Sequence, residues 1–64
     1  MGNIELGIAI KNAREKKGLT KIELAKRIGS NEVTLWRLER GGANSTIRIL
    51  RAIERELDLE IFKI

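Results

Sequence analysis

None of the 64 residues is a cysteine, a histidine or a proline, and each absence excludes a class of structure. Without cysteine the chain has no disulfide framework and no thiolate zinc site, and without histidine it lacks the commonest general base and metal ligand. We therefore expect neither an enzyme nor a metal or other cofactor site. No apolar run approaches the roughly 20 residues of a membrane span, and no signal-peptide pattern follows Met1. A cytoplasmic protein is expected.

An excess of positive charge is the first feature that is present. Thirteen Lys and Arg residues against nine Asp and Glu residues give a formal net charge of +4, with a sequence pI of about 10.0. Residues 1–44 hold nine basic and five acidic residues, whereas the remainder holds four of each. Such a one-sided excess is typical of polyanion binding. A solvated surface without a partner is the alternative.

Glycines divide the sequence into four segments of helical length. Because no proline is present to end a helix, Gly18, Gly29 and the Gly41-Gly42 pair are the expected stops. Apolar residues recur at helical spacing within residues 3–17, 20–28, 31–40 and 45–57. The remaining tail has β-formers at nearly every position. We predict one all-α domain over residues 1–64, with four short helices followed by either a short strand or a fifth helix.

The two central segments have the spacing of a helix-turn-helix motif over residues 20–40. Ala25 leaves room for a second helix to cross closely, and Gly29, four residues later, can take the positive φ that ends the first helix. Leu35 and Leu38 then turn the apolar side of the second helix onto the core. These residues build the motif, and its second helix is presented to a partner.

The outward face of that second helix is the predicted DNA-reading surface, because this face enters the major groove in DNA-binding helix-turn-helix proteins. Arg37 is suited to a bidentate contact with guanine, Glu32 to the amine of cytosine and Val33 to the methyl group of thymine. Stabilisation of the helix N-terminus is the alternative role of Glu32. Trp36 either packs against the DNA or is partly buried against Lys21. The predicted base contacts are Glu32, Val33, Trp36 and Arg37.

A second group of residues is predicted to contact the DNA backbone. Lys21 begins the first helix of the motif, and helix N-termini themselves attract phosphate. Thr20 and Asn31 are the expected N-caps, and Thr20 forms a capping box with Glu23. The predicted backbone contacts are Thr20, Lys21, Asn31, Arg40, Gly42 and Asn44. For the two that follow the second helix, an ordinary loop is the alternative.

Two stretches of the sequence resemble a known family. GLTKIELAKRIG at residues 18–29 and VTLWRLERG at residues 33–41 resemble the Cro/cI (XRE) family of helix-turn-helix regulators, and the likeness extends over residues 6–57. The resemblance implies a lambda-repressor-like DNA-binding domain. It also implies that Arg14 in the first helix pairs with Glu39 at the end of the recognition helix, which would orient that helix.

The end of the sequence most resembles the antitoxin branch of this family that is typified by HipB. The likeness lies in residues 44–50 and 57–62, and it implies a terminal strand that pairs across a homodimer and a toxin protein as a further partner. A strand over residues 58–64 that is apolar on both faces is prone to pair. The competing arrangement is a fifth helix capped by Asp58. The predicted dimer interface is Leu59, Ile61, Phe62 and Ile64.

Together these features predict a sequence-specific transcriptional regulator that binds double-stranded DNA as a homodimer. Each subunit would set one recognition helix into a half-site of a pseudo-palindromic operator, and the half-sites would lie about 34 Å apart. Repression by promoter occlusion is expected, because 64 residues leave no room for an effector domain. The alternatives are a protein-binding adaptor on the same fold and a nucleoid or RNA-binding protein without operator preference.

Overall fold

The described part of the chain folds into four helices in the predicted order. The structure is a computed structural model and describes residues 3–42 and 46–61. The helices are α1 (Asn3–Lys16), α2 (Lys21–Arg27), α3 (Glu32–Glu39) and α4 (Ile47–Leu57). No strand forms in the described residues, and the all-α prediction is confirmed. No helix among them is both long enough and apolar enough to cross a membrane.

Side-chain caps begin three of the helices. Thr20 Oγ1 accepts from the N–H of Glu23 at 3.1 Å, and the Glu23 carboxylate accepts from the N–H of Thr20 at 2.9 Å, which completes a capping box. Hydrogen bonding to the Thr20 backbone, followed by that to its side chain, lowers the pKa of Glu23. Asn31 caps α3 by accepting from the N–H of Thr34 at 2.9 Å, and Thr46 caps α4 by accepting from the N–H of Ile49 at 3.2 Å.

Gly29 makes the turn between α2 and α3. Its φ is +71°, a left-handed conformation that glycine adopts without a steric penalty. The N–H of Ser30 then donates to the carbonyl of Ala25 at 2.9 Å, which satisfies one of the last carbonyls of α2. The chain therefore leaves α2 and enters α3 within a few residues, and α3 crosses close to α2.

One apolar core joins the four helices. Helix α1 packs against α3 and α4, and α2 packs against α3. Each fully buried Leu or Ile side chain contributes about 1.5–3 kcal/mol relative to an exposed one. The core anchors α3 from one side and leaves its opposite side outside. The buried apolar residues are Ile10, Leu24, Ala25, Ile28, Leu35, Leu38, Ala52, Ile53 and Leu57.

The chain turns back onto α4 after that helix ends. Asp58 caps α4 with a left-handed φ of 54°. The N–H of Leu59 donates to the carbonyl of Glu54 at 3.1 Å, and the N–H of Ile61 donates to the Glu54 carboxylate at 2.8 Å. The side chains of Leu59 and Ile61 pack against the core of their own chain.

The strand predicted over residues 58–64 does not form in its described part, residues 58–61. An extended chain presents alternate N–H groups to a partner strand, but two such groups here already donate to Glu54. Leu59 and Ile61, which would share one face of the predicted strand, lie instead against the core of their own chain. The alternative fifth helix does not form over these residues either, and Phe62 and Ile64 lie outside the described residues.

Candidate nucleic-acid interface

Helix α3 buries one side and exposes the other. Leu35 and Leu38 are 0% and 5% exposed, whereas Val33 and Trp36 are 56% and 48% exposed. The exposed side also carries Glu32, Arg37 and Arg40. All four side chains predicted to contact bases are therefore accessible to a ligand, because none of them is packed into the core.

A buried ion pair holds the C-terminal end of α3. Arg14 Nε donates to Glu39 Oε2 at 2.8 Å, and its Nη2 donates to Glu39 Oε1 at 3.2 Å, while the two side chains are 8% and 4% exposed. Arg14 Nη1 also donates to the carbonyl of Leu19 at 2.8 Å. The hydrogen bonding to Glu39 raises the pKa of Arg14. One side chain thereby ties α1, the α1–α2 connection and α3 together.

The N-terminal halves of α2 and α3 meet beside the indole of Trp36. Lys21, Glu32, Val33 and Trp36 line a surface cavity of about 220 Å³. The cavity brings the predicted phosphate contact Lys21 next to three predicted base contacts. Trp36 is thus half-exposed and lines the same cavity as Lys21, and its packing against DNA stays a prediction.

Arg40 stacks on the same indole. Its Cζ lies 4.6 Å from the centroid of the Trp36 ring, which is the geometry of a cation–π contact. The ring restricts the Arg40 side chain to one side of α3, while the guanidinium keeps its in-plane N–H donors for other partners. Arg40 and Trp36 therefore form one positively charged, flat surface element next to Arg37.

The two helix caps are exposed and already accept hydrogen bonds within the chain. Because Asn31 Oδ1 accepts from the N–H of Thr34, the amide NH₂ of Asn31 is the part that would donate to a phosphate. Thr20 Oγ1 accepts from the chain and retains its O–H as a donor. Both caps can therefore contact a phosphate without uncapping their helices.

The backbone amide of Gly42, predicted to meet a phosphate, is engaged within the chain. The N–H of Gly42 donates to the carbonyl of Arg37 at 3.0 Å, so this amide is occupied at the end of α3 and does not point to a ligand. Asn44 lies outside the described residues. Of the residues predicted to contact the DNA backbone, Lys21 lines the cavity beside Trp36 and Arg40 stacks on the Trp36 ring.

Gly7 is a structural residue of this site that the sequence reasoning missed. It is buried in α1, and a Cβ atom there would lie 2.5 Å from the carbonyl oxygens of Leu38 and Glu39. Only glycine lets α1 approach the end of α3 this closely. An isolated glycine inside a helix costs up to about 1 kcal/mol relative to alanine. A glycine at this unfavourable position inside a helix is the sequence feature that indicates a packing role.

The chain matches the model of a known protein family. The family model HTH_3, described as Helix-turn-helix, matches residues 10–64, which is most of the chain. No curated protein matches the chain. The matched range includes the whole helix-turn-helix motif and both members of the Arg14–Glu39 pair. It also includes the exposed face of α3, which we call the α3 surface and which carries Glu32, Val33, Trp36, Arg37 and Arg40. Within the described residues, no group of three or more potential metal ligands occurs.

Proposed function

Because the chain belongs to the Cro/cI-type helix-turn-helix family of DNA-binding transcriptional regulators, we propose that it is a repressor that binds a pseudo-palindromic operator as a homodimer. The observation that carries the proposal is the exposed side of α3. Its polar, basic and aromatic side chains face solvent, while two buried leucines and the Arg14–Glu39 pair anchor the helix from within.

Base reading is assigned to the first turns of α3, which lie nearest the base edges when such a helix enters the major groove. Arg37 offers a two-donor fork that matches the O6 and N7 acceptors of guanine. The Glu32 carboxylate accepts from the N4 amine of cytosine, and Val33 contacts a thymine methyl group. Trp36 supplies apolar contact beside them. Each good bidentate contact discriminates against the wrong base by about 1–3 kcal/mol.

Affinity comes mainly from phosphate contacts. Lys21 and Arg40 both lie beside the Trp36 indole and supply positive charge, and the Thr20 and Asn31 caps add neutral donors. Each neutralised phosphate releases counterions, so the observed affinity falls steeply as the salt concentration rises. These contacts position the protein on any duplex and carry no sequence information themselves.

Repression follows from occupancy of the promoter. Two recognition helices related by a twofold axis would fill half-sites about 34 Å apart on one side of the duplex. A bound dimer covers the DNA that polymerase needs. We assign the protein to the cytoplasm, where such an operator is found.

An autoregulating antitoxin is the narrower form of this proposal. The likeness of residues 44–50 to the HipB branch supports it, and the partner would then be a toxin protein. Co-expression with the product of an adjacent gene, followed by purification of a stable complex, tests this form. If that product neither binds the protein nor inhibits growth when expressed alone, the antitoxin assignment is wrong.

Selection of binding sites from a random duplex library with the full chain tests the proposal. We expect a pseudo-palindromic consensus, and light scattering should report a dimer at high micromolar concentration. Enrichment of no sequence would identify a nucleoid-type binder, and absence of binding at low salt would identify a protein-binding adaptor. A monomer under these conditions would contradict the homodimer.

Two substitutions separate base reading from phosphate contact on the selected operator. Arg37→Ala should weaken operator binding by about 1–3 kcal/mol and relax the preference at one base pair. Lys21→Ala should weaken binding to operator and random duplex equally and reduce the salt slope by about one. Lys17→Ala removes an exposed lysine outside the α3 surface and is the control. Equal losses on both duplexes for Arg37→Ala would refute its base-reading role.

A further inference from the structure

A second cavity lies between the end of α2 and the outer part of α4. Its volume is about 450 Å³, and it shares no residue with the cavity beside Trp36. Three arginines surround an apolar floor, and we call this surface the arginine groove. It is defined by Arg27, Arg48, Arg55, Ile28, Ile49 and Ala52.

The arginines of α4 are arranged in a row. Arg48 and Arg55 are seven residues apart, which places them on the same side of the helix and about 10 Å apart along its axis. Arg51 lies between them and within about 60° around the axis. All three are exposed. Among residues 3–42 and 46–61, no ion pair joins Arg48 or Arg55 to a carboxylate.

One arginine of the groove already has a carboxylate of the chain itself nearby. Arg27 Nη1 lies 3.6 Å from Glu56 Oε1, and both side chains are partly exposed. Guanidinium groups in general bind carboxylates in a two-donor geometry. The intramolecular partner satisfies Arg27 and leaves the guanidinium groups of Arg48 and Arg55 for an external acid.

We propose that the arginine groove binds an acidic segment of another protein. Carboxylates of that segment pair with Arg48 and Arg55, and an apolar side chain beside them on the same face contacts Ile49. In an extended segment, side chains at alternate positions share one face and are about 7 Å apart, and the long side chains of the two arginines can converge on such a pair. This surface lies outside the α3 surface, so the inference stands independently of DNA binding.

A second copy of this chain is a poor occupant. Pairing of two grooves about a twofold axis would place the row formed by Arg48, Arg51 and Arg55 opposite the same row of its mate. Like charges in such proximity are unfavourable across an interface. The charge of the row therefore calls for a partner of opposite sign.

A DNA duplex also fits the charge pattern poorly. A duplex carries one negative charge for about every 1.7 Å of its axis, so it would extend beyond the groove along α4. The adjoining cavity is lined by Glu54 and Asp58 together with Arg48, Arg51 and Arg55. A continuous phosphate backbone would meet these two carboxylates, whereas a short segment with a few acids need not.

The test uses the full chain and a fluorescein-labelled peptide, Glu-Leu-Glu-Glu-Leu-Glu, with fluorescence anisotropy at low salt. The same peptide with glutamine in place of every glutamate is the ligand control. Arg48→Gln/Arg55→Gln removes two charges from the groove, and Lys16→Gln/Lys17→Gln removes two exposed charges elsewhere. Far-UV circular dichroism establishes that both variants are folded.

We expect the acidic peptide to bind and the glutamine peptide not to bind. The double arginine variant should bind the peptide at least about tenfold more weakly, and the double lysine variant should lose less than about twofold. Glu56→Gln frees Arg27 from its internal partner and should strengthen peptide binding a few-fold.

Three outcomes would overturn the proposal. The first is absence of peptide binding at millimolar peptide, and the second is an equal loss in the arginine and lysine variants, which would indicate bulk charge alone. The third is an equal loss of random-duplex and peptide affinity in the arginine variant, which would make the groove a DNA-backbone contact. Operator binding by Arg48→Gln/Arg55→Gln is recorded in parallel, so that failure of the groove and failure of the α3 surface are distinguished.

Discussion

The buried pair between Arg14 and Glu39 can be tested by removing one partner at a time. Glu39→Leu leaves the Arg14 guanidinium, whose side chain is 8% exposed, without its counter-charge. Arg14→Met leaves the Glu39 carboxylate, 4% exposed, in the same situation. Breaking a buried pair in this way costs about 3–5 kcal/mol. A domain of this size has a total free energy of unfolding of about 3–10 kcal/mol, so each single variant should lose a large fraction of its stability.

The double variant Arg14→Met/Glu39→Leu should recover most of that loss, because an apolar pair of similar volume leaves no buried charge uncompensated. Urea unfolding followed by circular dichroism at 222 nm gives all four free energies and therefore the coupling energy. We expect a coupling of about 2–3 kcal/mol or more. Single-variant losses below about 1 kcal/mol would mean that the pair behaves like an exposed one, and the anchoring argument would be wrong.

The same double variant also tests whether the pair orients α3. Two charge-assisted hydrogen bonds fix the direction of the side chains they join, whereas an apolar contact does not. We therefore expect the double variant to bind the selected operator more weakly than wild type although its stability is largely restored. Unchanged operator affinity would show that the core alone sets the direction of α3.

Three further outcomes are expected. The free energy of unfolding of Gly7→Ala, measured in urea, should be about 1–2 kcal/mol lower than that of wild type, because overpacking of about 1–3 kcal/mol outweighs the better helix propensity. The control Asn12→Ala, on the exposed side of α1, should be slightly stabilising. Because folding lowers the pKa of Glu23, its ionised carboxylate stabilises the folded protein. This stabilisation is complete above the ordinary pKa of 4.5 and is lost as the pH falls through the lower folded-state pKa. The stability difference between wild type and Glu23→Gln should therefore shrink on acidification, and a constant difference would contradict the capping-box origin. Fluorescence of Trp36, the only tryptophan, should change when operator DNA is added, and an unchanged emission would place the indole outside the interface.

The parts of the fold that depend on neighbouring residues could be predicted from the sequence. A capping box needs only Thr20 and Glu23, and a helix stop needs only a glycine such as Gly29, because each acts within one turn of helix. The exposure of the α3 face followed from periodicity, since two buried leucines determine which side of a helix faces away from the core.

Contacts between distant segments were beyond such reasoning. The pairing of Arg14 with Glu39 joins residues 25 positions apart and was reached only through the family resemblance. Gly7 is special because of two carbonyl oxygens at the end of α3, and no local pattern in α1 contains that information. A side chain's long-range partner becomes predictable only when the path of the chain is known.

The tail shows how one side chain can override a local propensity. Alternating apolar residues after Leu57 favour a strand, but a strand requires a partner for its backbone. Glu54 lies one turn before the end of α4 and accepts from two N–H groups of the tail through its carbonyl and its carboxylate. The carboxylate can do this only because the left-handed residue Asp58 reverses the chain. Strand propensity alone does not account for this competition between Glu54 and a partner strand for the backbone N–H groups of the tail.

Helix α2 connects the two surfaces to which binding roles are assigned. Lys21 lines the cavity beside Trp36, and Arg27 lines the arginine groove. Six residues of α-helix rotate these positions about 120° apart and separate them by about 9 Å along the axis. The capping box at one end of α2 and the Gly29 turn at the other hold the helix in place, so we expect a ligand at Arg27 to leave the position of α3 unchanged. Occupancy of the groove should therefore add a partner to the DNA-bound protein and leave its choice of bases unchanged.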